Sequence, residues 1–489
     1  MKTLVVSFLA AILIVVPLCA NRASAQTNTA YGQGALKHNT TGSYNSAFGN
    51  NALLLNTTGK DNTATGGQCL AGNTTGSSNT AVGSAALFSN TTGNDNTAVG
   101  LSALESNVVG NYNTAVGYAA LLSNTASDNT AVGLEALEFN TTGSFNTAAG
   151  QQALQLNTAG RANTAMGANA LLSNQTGLFN TAVGTDALFG STTANSNTAI
   201  GASALFSTTT GMANTAIGSE ALIDNTIGAY DTATGDSALF SNKTGTDNTA
   251  EGALALYANT TGSDNTALGV VALRSITTGS NNVGVGLNAG LNLTTGSNNI
   301  YIGNTGGVAS ESGTIRIGTH GTQTATYIAG ITGTSVTGAD VVVNSSGRLG
   351  VVVSSARFKR DIHAMGTASG ALMKLRPVTF RYKDDAAGIR QYGLIAEEVE
   401  RVYPDLVAYG ADGKVETVRY SALTPMLLNE LQQQATQLNK LSAQLAEEKA
   451  SRERELEALK TAFAQRLAAL ERATAGSSPD HRLAAAFAR

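Results

Sequence analysis

A unit of 17 residues recurs seventeen times between Asn28 and Gly303, with a single 16-residue step between Asn113 and Asn129. A short fixed period makes each unit one structural coil stacked on its neighbours, so this stretch is a solenoid or fibre and not an ordinary globular domain. The unit reads Asn-Thr-Ala-x-Gly-x-x-Ala-Leu, followed by a polar turn often written Asn-Thr-Thr-Gly. Its fifth position is Gly in every copy from Gly32 to Gly303, which demands either a positive φ or a close backbone approach. Its ninth is Leu from Leu36 to Leu273. Small residues at the third and eighth positions beside that Leu suit short strands whose inward side chains stack coil upon coil. An α-helix is excluded, because Gly, Asn and Thr this frequent each cost helix stability.

The recurring first-position Asn, as at Asn28 and Asn45, is expected to stack into hydrogen-bonded ladders and to take left-handed turn conformations. Asn-x-Thr triplets fall out of the repeat itself and are not read as glycan acceptors. Cys69 fills the slot of Ala35, Ala52 and Ala86, so it is expected to be a small buried apolar residue and not a reactive thiol. In pattern the array resembles the head repeats of trimeric autotransporter adhesins, although that family's period is shorter. The resemblance implies a mainly β fold, a left-handed parallel β-roll or solenoid. With strands about 4.8 Å apart, seventeen coils make a rod of about 80 Å. Each coil buries little apolar area, so lateral association of three rods is the expected source of further stability. The last two copies drift, to Asn282-Val283-Gly284-Val285-Gly286 and Asn299-Ile300-Tyr301-Ile302-Gly303, as end repeats do when they cap a stack.

Composition narrows the class further. Gly is 54 of 489 residues, aromatics are 5% and Trp is absent, which excludes large conventional cores over most of the length. The net charge is -4, and no basic patch with interleaved aromatics suggests nucleic acid. The N-terminus has Lys2, an apolar run from Leu4 to Leu18, and Ala23-Ser24-Ala25 before Gln26, the pattern of a secretory signal over residues 1–25. Its apolar run is about 15 residues, short of the roughly 20 that a membrane span needs. The large Leu18 before Cys19 argues against a lipoprotein. Once the signal is removed Cys69 is the only cysteine, so no intrachain disulfide is expected.

The array is assigned to residues 26–303 and a β-rich neck to 304–353, with strands expected at Thr314-Ile315-Arg316-Ile317, Tyr327-Ile328-Ala329 and Val341-Val342-Val343. His320 has no second His or acidic cluster near it, and neither a metal nor a cofactor is expected. A boundary follows at Val353-Ser354-Ser355-Ala356-Arg357-Phe358-Lys359-Arg360-Asp361-Ile362. The chain before it is repetitive and almost uncharged; the chain after it is dense in Lys, Arg and Glu. A Ser hydroxyl becomes a nucleophile when a base takes its proton, and a Lys amine serves as that base where burial lowers its pKa. Ser354 and Lys359 stand at a spacing that permits such a dyad, though the spacing alone carries little weight. Lys374 and Lys383 are alternative bases that nothing local favours.

Downstream run Leu375-Arg376-Pro377-Val378-Thr379-Phe380-Arg381-Tyr382, Gln391-Tyr392-Gly393-Leu394-Ile395-Ala396-Glu397-Glu398-Val399-Glu400, Tyr403-Pro404-Asp405-Leu406-Val407, Val418-Arg419-Tyr420 and Leu423-Thr424-Pro425-Met426-Leu427-Leu428. In this order and spacing, residues 354–445 resemble the C-terminal intramolecular chaperone domain of endosialidase-type phage tail spikes and fibres. That self-cleaving peptidase domain is also found in a eukaryotic membrane-bound transcription factor. The resemblance implies a homotrimer whose chaperone domain helps the preceding β-rich fibre to trimerise and then cuts itself off through a Ser/Lys dyad. Carried over position by position, it puts the nucleophile at Ser354, the general base at Lys359 and the scissile bond between Val353 and Ser354. The family usually has Asp directly after the nucleophile, where this chain has Ser355.

Residues 354–425 are expected to form a small α+β domain, with a helix at Ile395 to Val402, strands at Val378 to Tyr382 and Val415 to Tyr420, and a hairpin turn at Asp412-Gly413. Glu397, Glu398 and Glu400 are read as a solvated helix face. From Ser421 onward Leu427, Leu431, Leu438, Leu441 and Leu445, then Leu456, Leu459, Phe463, Leu467 and Leu470, follow heptad-like spacing, the seam of a coiled-coil helix over 426–474. The seam is interrupted at Glu447 to Glu455, where the bundle is expected to loosen. Gly476-Ser477-Ser478-Pro479 ends the helix, and a disordered tail is assigned to 475–489. The ending Phe487-Ala488-Arg489 lacks the terminal aromatic of an autotransporter barrel, so no integral membrane anchor is expected.

The leading reading is an exported, extracellular or surface-bound homotrimeric fibre whose C-terminal domain assembles it and then cleaves itself. The alternatives are a non-enzymatic adhesin for surface glycans with a passive trimerisation clamp, and an ice-binding or purely structural solenoid with regular Thr rows. A polysaccharide-cleaving site in the rod is disfavoured, because Glu135, Glu138, Glu220 and Glu251 stand one at a time along the repeats.

Overall fold

The computed structural model describes residues 27–329, 337–344, 346–410 and 412–475, which divide into two compact units between Tyr327 and Ile328. The secretory-signal segment, the stretch around Gly476 to Pro479 and the assigned tail from 476 onward lie outside the described residues.

The first unit is a parallel β-solenoid. Seventeen three-residue strands, β1 (Thr29–Tyr31) to β17 (Ile300–Ile302), fall at the second to fourth positions of the seventeen repeats, and each pairs in parallel with the next. The 16-residue step keeps the register, Thr114 opposite Thr130, because the missing residue is taken out of the polar turn. There the carbonyl of Ala126 accepts from Asn113 Nδ2 at 2.9 Å, where most other coils use a Gly carbonyl. The sheet runs one strand beyond the repeats: β18 (Ile315–Ile317) pairs with β17, so part of the expected neck continues the solenoid.

One coil explains all of them. In the coil that starts at Asn79, Ala81, Ala86 and Leu87 point inward and are fully buried. Gly83 has φ +136, and a Cβ there would run into the carbonyl of Gly100 in the next coil; both reasons for the invariant Gly hold together. The tight turn after it needs two more left-handed residues, at Ala85 (φ 58) and at Leu87 (φ 52). A bulky residue rarely adopts that conformation. It costs about 1–2 kcal/mol, which full burial of a Leu side chain, worth about 1.5–3 kcal/mol, offsets. The third left-handed residue is Asp95, directly before Asn96, so the first-position Asn is not the one with positive φ, contrary to expectation. Its left-handed neighbour turns the chain so that the Asn amide points into the coil.

The Asn ladders themselves are present, and there are two. Asn79 Oδ1 accepts from both the backbone N–H of Asn96 (3.0 Å) and its Nδ2 (3.1 Å). Asn79 Nδ2 donates to the carbonyl of Gly93 at 2.9 Å. The second ladder, at the twelfth position, joins Asn90 Nδ2 to Asn73 Oδ1 (2.8 Å) and to the same Gly93 carbonyl (3.0 Å). Buried amides are thereby satisfied coil after coil. The second ladder breaks where Ser191, Thr208 and Ile276 replace Asn, which leaves Asn174 Oδ1, Ser191 Oγ, Thr208 Oγ1 and Asn259 Oδ1 buried without a partner. Cys69 is buried among the alanines, as expected; its thiol donates to Ala81 O at 3.1 Å, and burial pushes it up to about 12.

Asp231 replaces Asn in the first ladder and is fully buried. Its Oδ1 accepts from the Asn248 N–H (2.9 Å) and Nδ2 (3.0 Å), and its Oδ2 from Asn242 Nδ2 (3.1 Å). Burial pushes its carboxyl up to about 7 despite these bonds, with Asp247 adding to the rise. At the far end of the solenoid Tyr301 is buried and donates its hydroxyl to Glu311 at 3.0 Å. Glu311 also receives Arg316 Nε and Nη2. Chiefly through Arg316, its carboxyl is held down at about 2.

In the second unit β19 (Val341–Val343) and β20 (Leu349–Val351) form an antiparallel hairpin; no strand forms at Tyr327 to Ala329. Then come β21 (Val378–Phe380) paired with β22 (Gln391–Gly393), the helix α1 (Ala396–Val402), and β23 (Val407–Tyr409) paired with β24 (Val415–Val418). Gly413, at φ 74, makes the expected turn between the last two. Leu372, Val399, Leu406, Val407, Val418 and Leu423 form a small core. The chain ends its described part in α2 (Tyr420–Ala475), 56 residues or about 84 Å, with no break in the helix at Glu447 to Glu455. All ten heptad-like apolar residues lie exposed on it, from 53% at Leu445 to 72% at Phe463.

Candidate functional site

Ser354 follows the β19–β20 hairpin and precedes one turn of 3-10 helix, Ala356–Phe358. Ser355 caps that turn in extended conformation (φ -63, ψ 142), with Phe358 N–H donating to its carbonyl at 3.0 Å and Lys359 N–H donating to Ala356 O at 3.0 Å. This single turn folds the chain back over five residues and sets Lys359 Nζ 3.3 Å from Ser354 Oγ. The amine at Lys359 is thus the one that reaches the hydroxyl. Lys374, at the end of a separate 3-10 turn, and Lys383 make no such contact among the described residues.

Residues 354–368 are exposed throughout, including both members of the pair. Arg357 lies over the Phe358 ring at 4.6 Å, and Asp361 takes a left-handed φ of 57. The contact runs from Lys359 Nζ as donor to the Ser354 hydroxyl as acceptor. For catalysis its polarity must reverse, with a neutral amine accepting the hydroxyl proton, and that needs an environment that disfavours the charged Lys. Val353, on the other side of the candidate bond, is also exposed.

C-terminal to the Ser354–Lys359 pair, the chain is tied to α2 by polar contacts that no local sequence pattern announces. Ser369 is fully buried; it donates to Glu430 Oε2 at 3.0 Å and accepts from Asn429 Nδ2 at 2.6 Å. Asn429 and Gln433 also donate to the Gly366 carbonyl. Tyr403 fixes the same segment, donating its hydroxyl to Ala368 O and accepting from the Ala371 N–H, both at 3.0 Å. Residues 366–371 are therefore anchored to the helix, and Ser354 and Lys359 lie on the exposed arm before them.

Among the acids, Glu398 does more than solvate its helix: Arg376 pairs with it at 2.6 Å, and this lowers its carboxyl pKa. Glu400 accepts from the Tyr409 hydroxyl at 2.9 Å. In the rod Glu135 and Glu138 are not isolated, because Gln155 Nε2 in the next coil donates to Glu135 at 3.0 Å and to Glu138 at 2.7 Å. Glu220 and Glu251 stay apart, and His320 is exposed. Among the described residues no cluster of metal-ligating side chains occurs, and no helix is long and apolar enough to cross a membrane.

Residues 354–408 match a family model described as the chaperone of endosialidase, a peptidase family. The match opens on Ser354 and closes within β23. Neither the curated proteins nor the solved structures gave a match to the chain. A parallel β-solenoid followed by such a domain fits a trimeric, fibre-like protein that carries its own chaperone.

Proposed function

We propose that this chain is an exported homotrimeric fibre protein whose C-terminal domain gathers three copies and then removes itself by one cut between Val353 and Ser354. The observation that carries the reading is the 3.3 Å contact of Lys359 Nζ with Ser354 Oγ at the first residue of the matched domain. The exposed seam of α2 supports the trimer, since a 56-residue helix whose apolar row lies in water is stable when it is shared with other helices.

Parallel strands that pair through whole coils fold slowly and expose edges, and a helical trimer that gathers three chains first raises their local concentration. Assembly then also completes the catalytic site. The exposed arm around Ser354 becomes covered by neighbouring chains, and desolvation shifts Lys359 toward the neutral amine. Neutral Lys359 takes the Ser354 hydroxyl proton, and Oγ attacks the Val353 carbonyl carbon, with backbone amides stabilising the oxyanion. The Val353–Ser354 C–N bond breaks as Lys359 returns the proton to the departing nitrogen, leaving an ester on Oγ. Water, deprotonated by the same amine, hydrolyses that ester to a Val353 carboxylate and frees the hydroxyl. Cleavage makes assembly irreversible.

The test is expression of the full chain beside Ser354→Ala and Lys359→Ala. Both variants are expected to assemble and remain whole while the wild type is cut. A wild type that assembles but stays uncut would reduce the C-terminal domain to a passive clamp.

A further inference from the structure

One face of the solenoid carries almost no charge. Position four of each repeat, the last residue of its strand, points outward, and in the nine consecutive coils from Val82 to Ile217 it is always apolar. Exposure there reaches 43% at Val132 and 48% at Met166. Position two, on the same side of the strand, is Thr in all nine. Across the first thirteen coils neither position holds a charged residue; Glu251, in the fourteenth, is the first. The rod's other exposed charges, such as Lys60, Asp95, Arg161 and Lys243, fall at turn positions.

The stripe is about 40 Å long and about 10 Å wide. That is roughly 400 Å², the size of an apolar patch that on a monomer marks an interaction surface. Two features select the occupant. The surface repeats every 4.8 Å or so, a grid that a parallel copy of the same solenoid matches along its whole length. In addition, parallel copies around a common axis set each residue beside its own equivalents, so any charge on the contact face would meet like charges. A different partner has no such restriction, because an opposite charge can answer each one.

We infer that the Thr/apolar strand face from Val82 to Ile217 is the seam along which three rods of this chain pack, parallel and in register, and that Glu251 ends it. The inference rests on the trimer of the proposed function and names the surface that the rods contribute to it.

Cross-linking of the full chain separates the two. Val132→Cys and Ile200→Cys place a thiol on the stripe, and Thr142→Cys places one on an exposed turn; native Cys69 is buried. Each variant is treated with a short bis-maleimide, and its native mass is measured by light scattering. The expected result is a three-chain mass for all, with most of the protein shifting to a covalent two-chain band from 132 and 200 and none from 142. A three-chain mass without cross-linking at 132 and 200 overturns the seam and leaves the trimer standing. A one-chain mass overturns the trimer, and the seam with it. Thermal hysteresis that Val132→Glu abolishes at unchanged native mass assigns the stripe to ice and overturns the seam.

Discussion

Lys359 Nζ lies 3.3 Å from Ser354 Oγ because one 3-10 turn, and no other part of the fold, carries the chain between them. The pair is local and exposed, so its geometry needs no partner, while the proposed cleavage needs a covered site. Cleavage is therefore expected to follow assembly. Leu438→Asp with Leu441→Asp, in the exposed row of α2, should lower the three-chain fraction and the cut fraction together. The check is native mass and denaturing gel on the same samples, and full cutting in a one-chain species would refute the coupling.

The two kinds of rod glycine predict opposite effects. A Cβ on Gly117, at φ 141, would strike the Gly133 carbonyl, whereas Gly67 has nothing within 4 Å. Gly117→Ala should cost roughly 2–5 kcal/mol through strain and overpacking. Gly67→Ala should be neutral or stabilising by about 0.4–1 kcal/mol. Denaturant midpoints of the full chain measure both.

Restoring the broken ladder should stabilise the rod. Ser191→Asn with Thr208→Asn would connect Asn174 to Asn225, give Asn174 Oδ1 a donor and remove the two partnerless hydroxyls. A gain of about 1 kcal/mol per restored bond is expected, read from the same midpoints.

Asp231 makes stability depend on pH. Its carboxyl is raised from 3.8 to about 7, so the folded state holds a proton that the unfolded state releases. Below about pH 4 both states are protonated and nothing is lost. As pH rises through the window from 4 to 7 stability falls, and above 7 the full penalty, on the order of 4 kcal/mol, is present. Asp231→Asn should therefore raise the unfolding midpoint at pH 8 and leave it nearly unchanged at pH 4.

Much of this was legible in the sequence. The pattern of Gly83, Ala86 and Leu87 announced a small stacked core, and the period announced the coils. The left-handed backbone of Leu87 was not legible, because only the tightness of the turn and the full burial of the side chain together force it. Nor were contacts that no local pattern encodes: Arg376 with Glu398, 22 residues away, and Ser369 with Asn429, 60 residues away. Glu135 and Glu138 looked solitary because the Gln155 that joins them belongs to the next coil. Ser354 and Lys359 were singled out through the motif order around them, and the fold adds the turn that brings them to 3.3 Å.

The most direct measurement is the first residue of the C-terminal fragment in purified wild-type protein, by N-terminal sequencing and intact mass. The expected result is a fragment that begins at Ser354, matched by an N-terminal product that ends at Val353. An assembled protein still covalently whole, or a fragment that begins at any other residue, would contradict it.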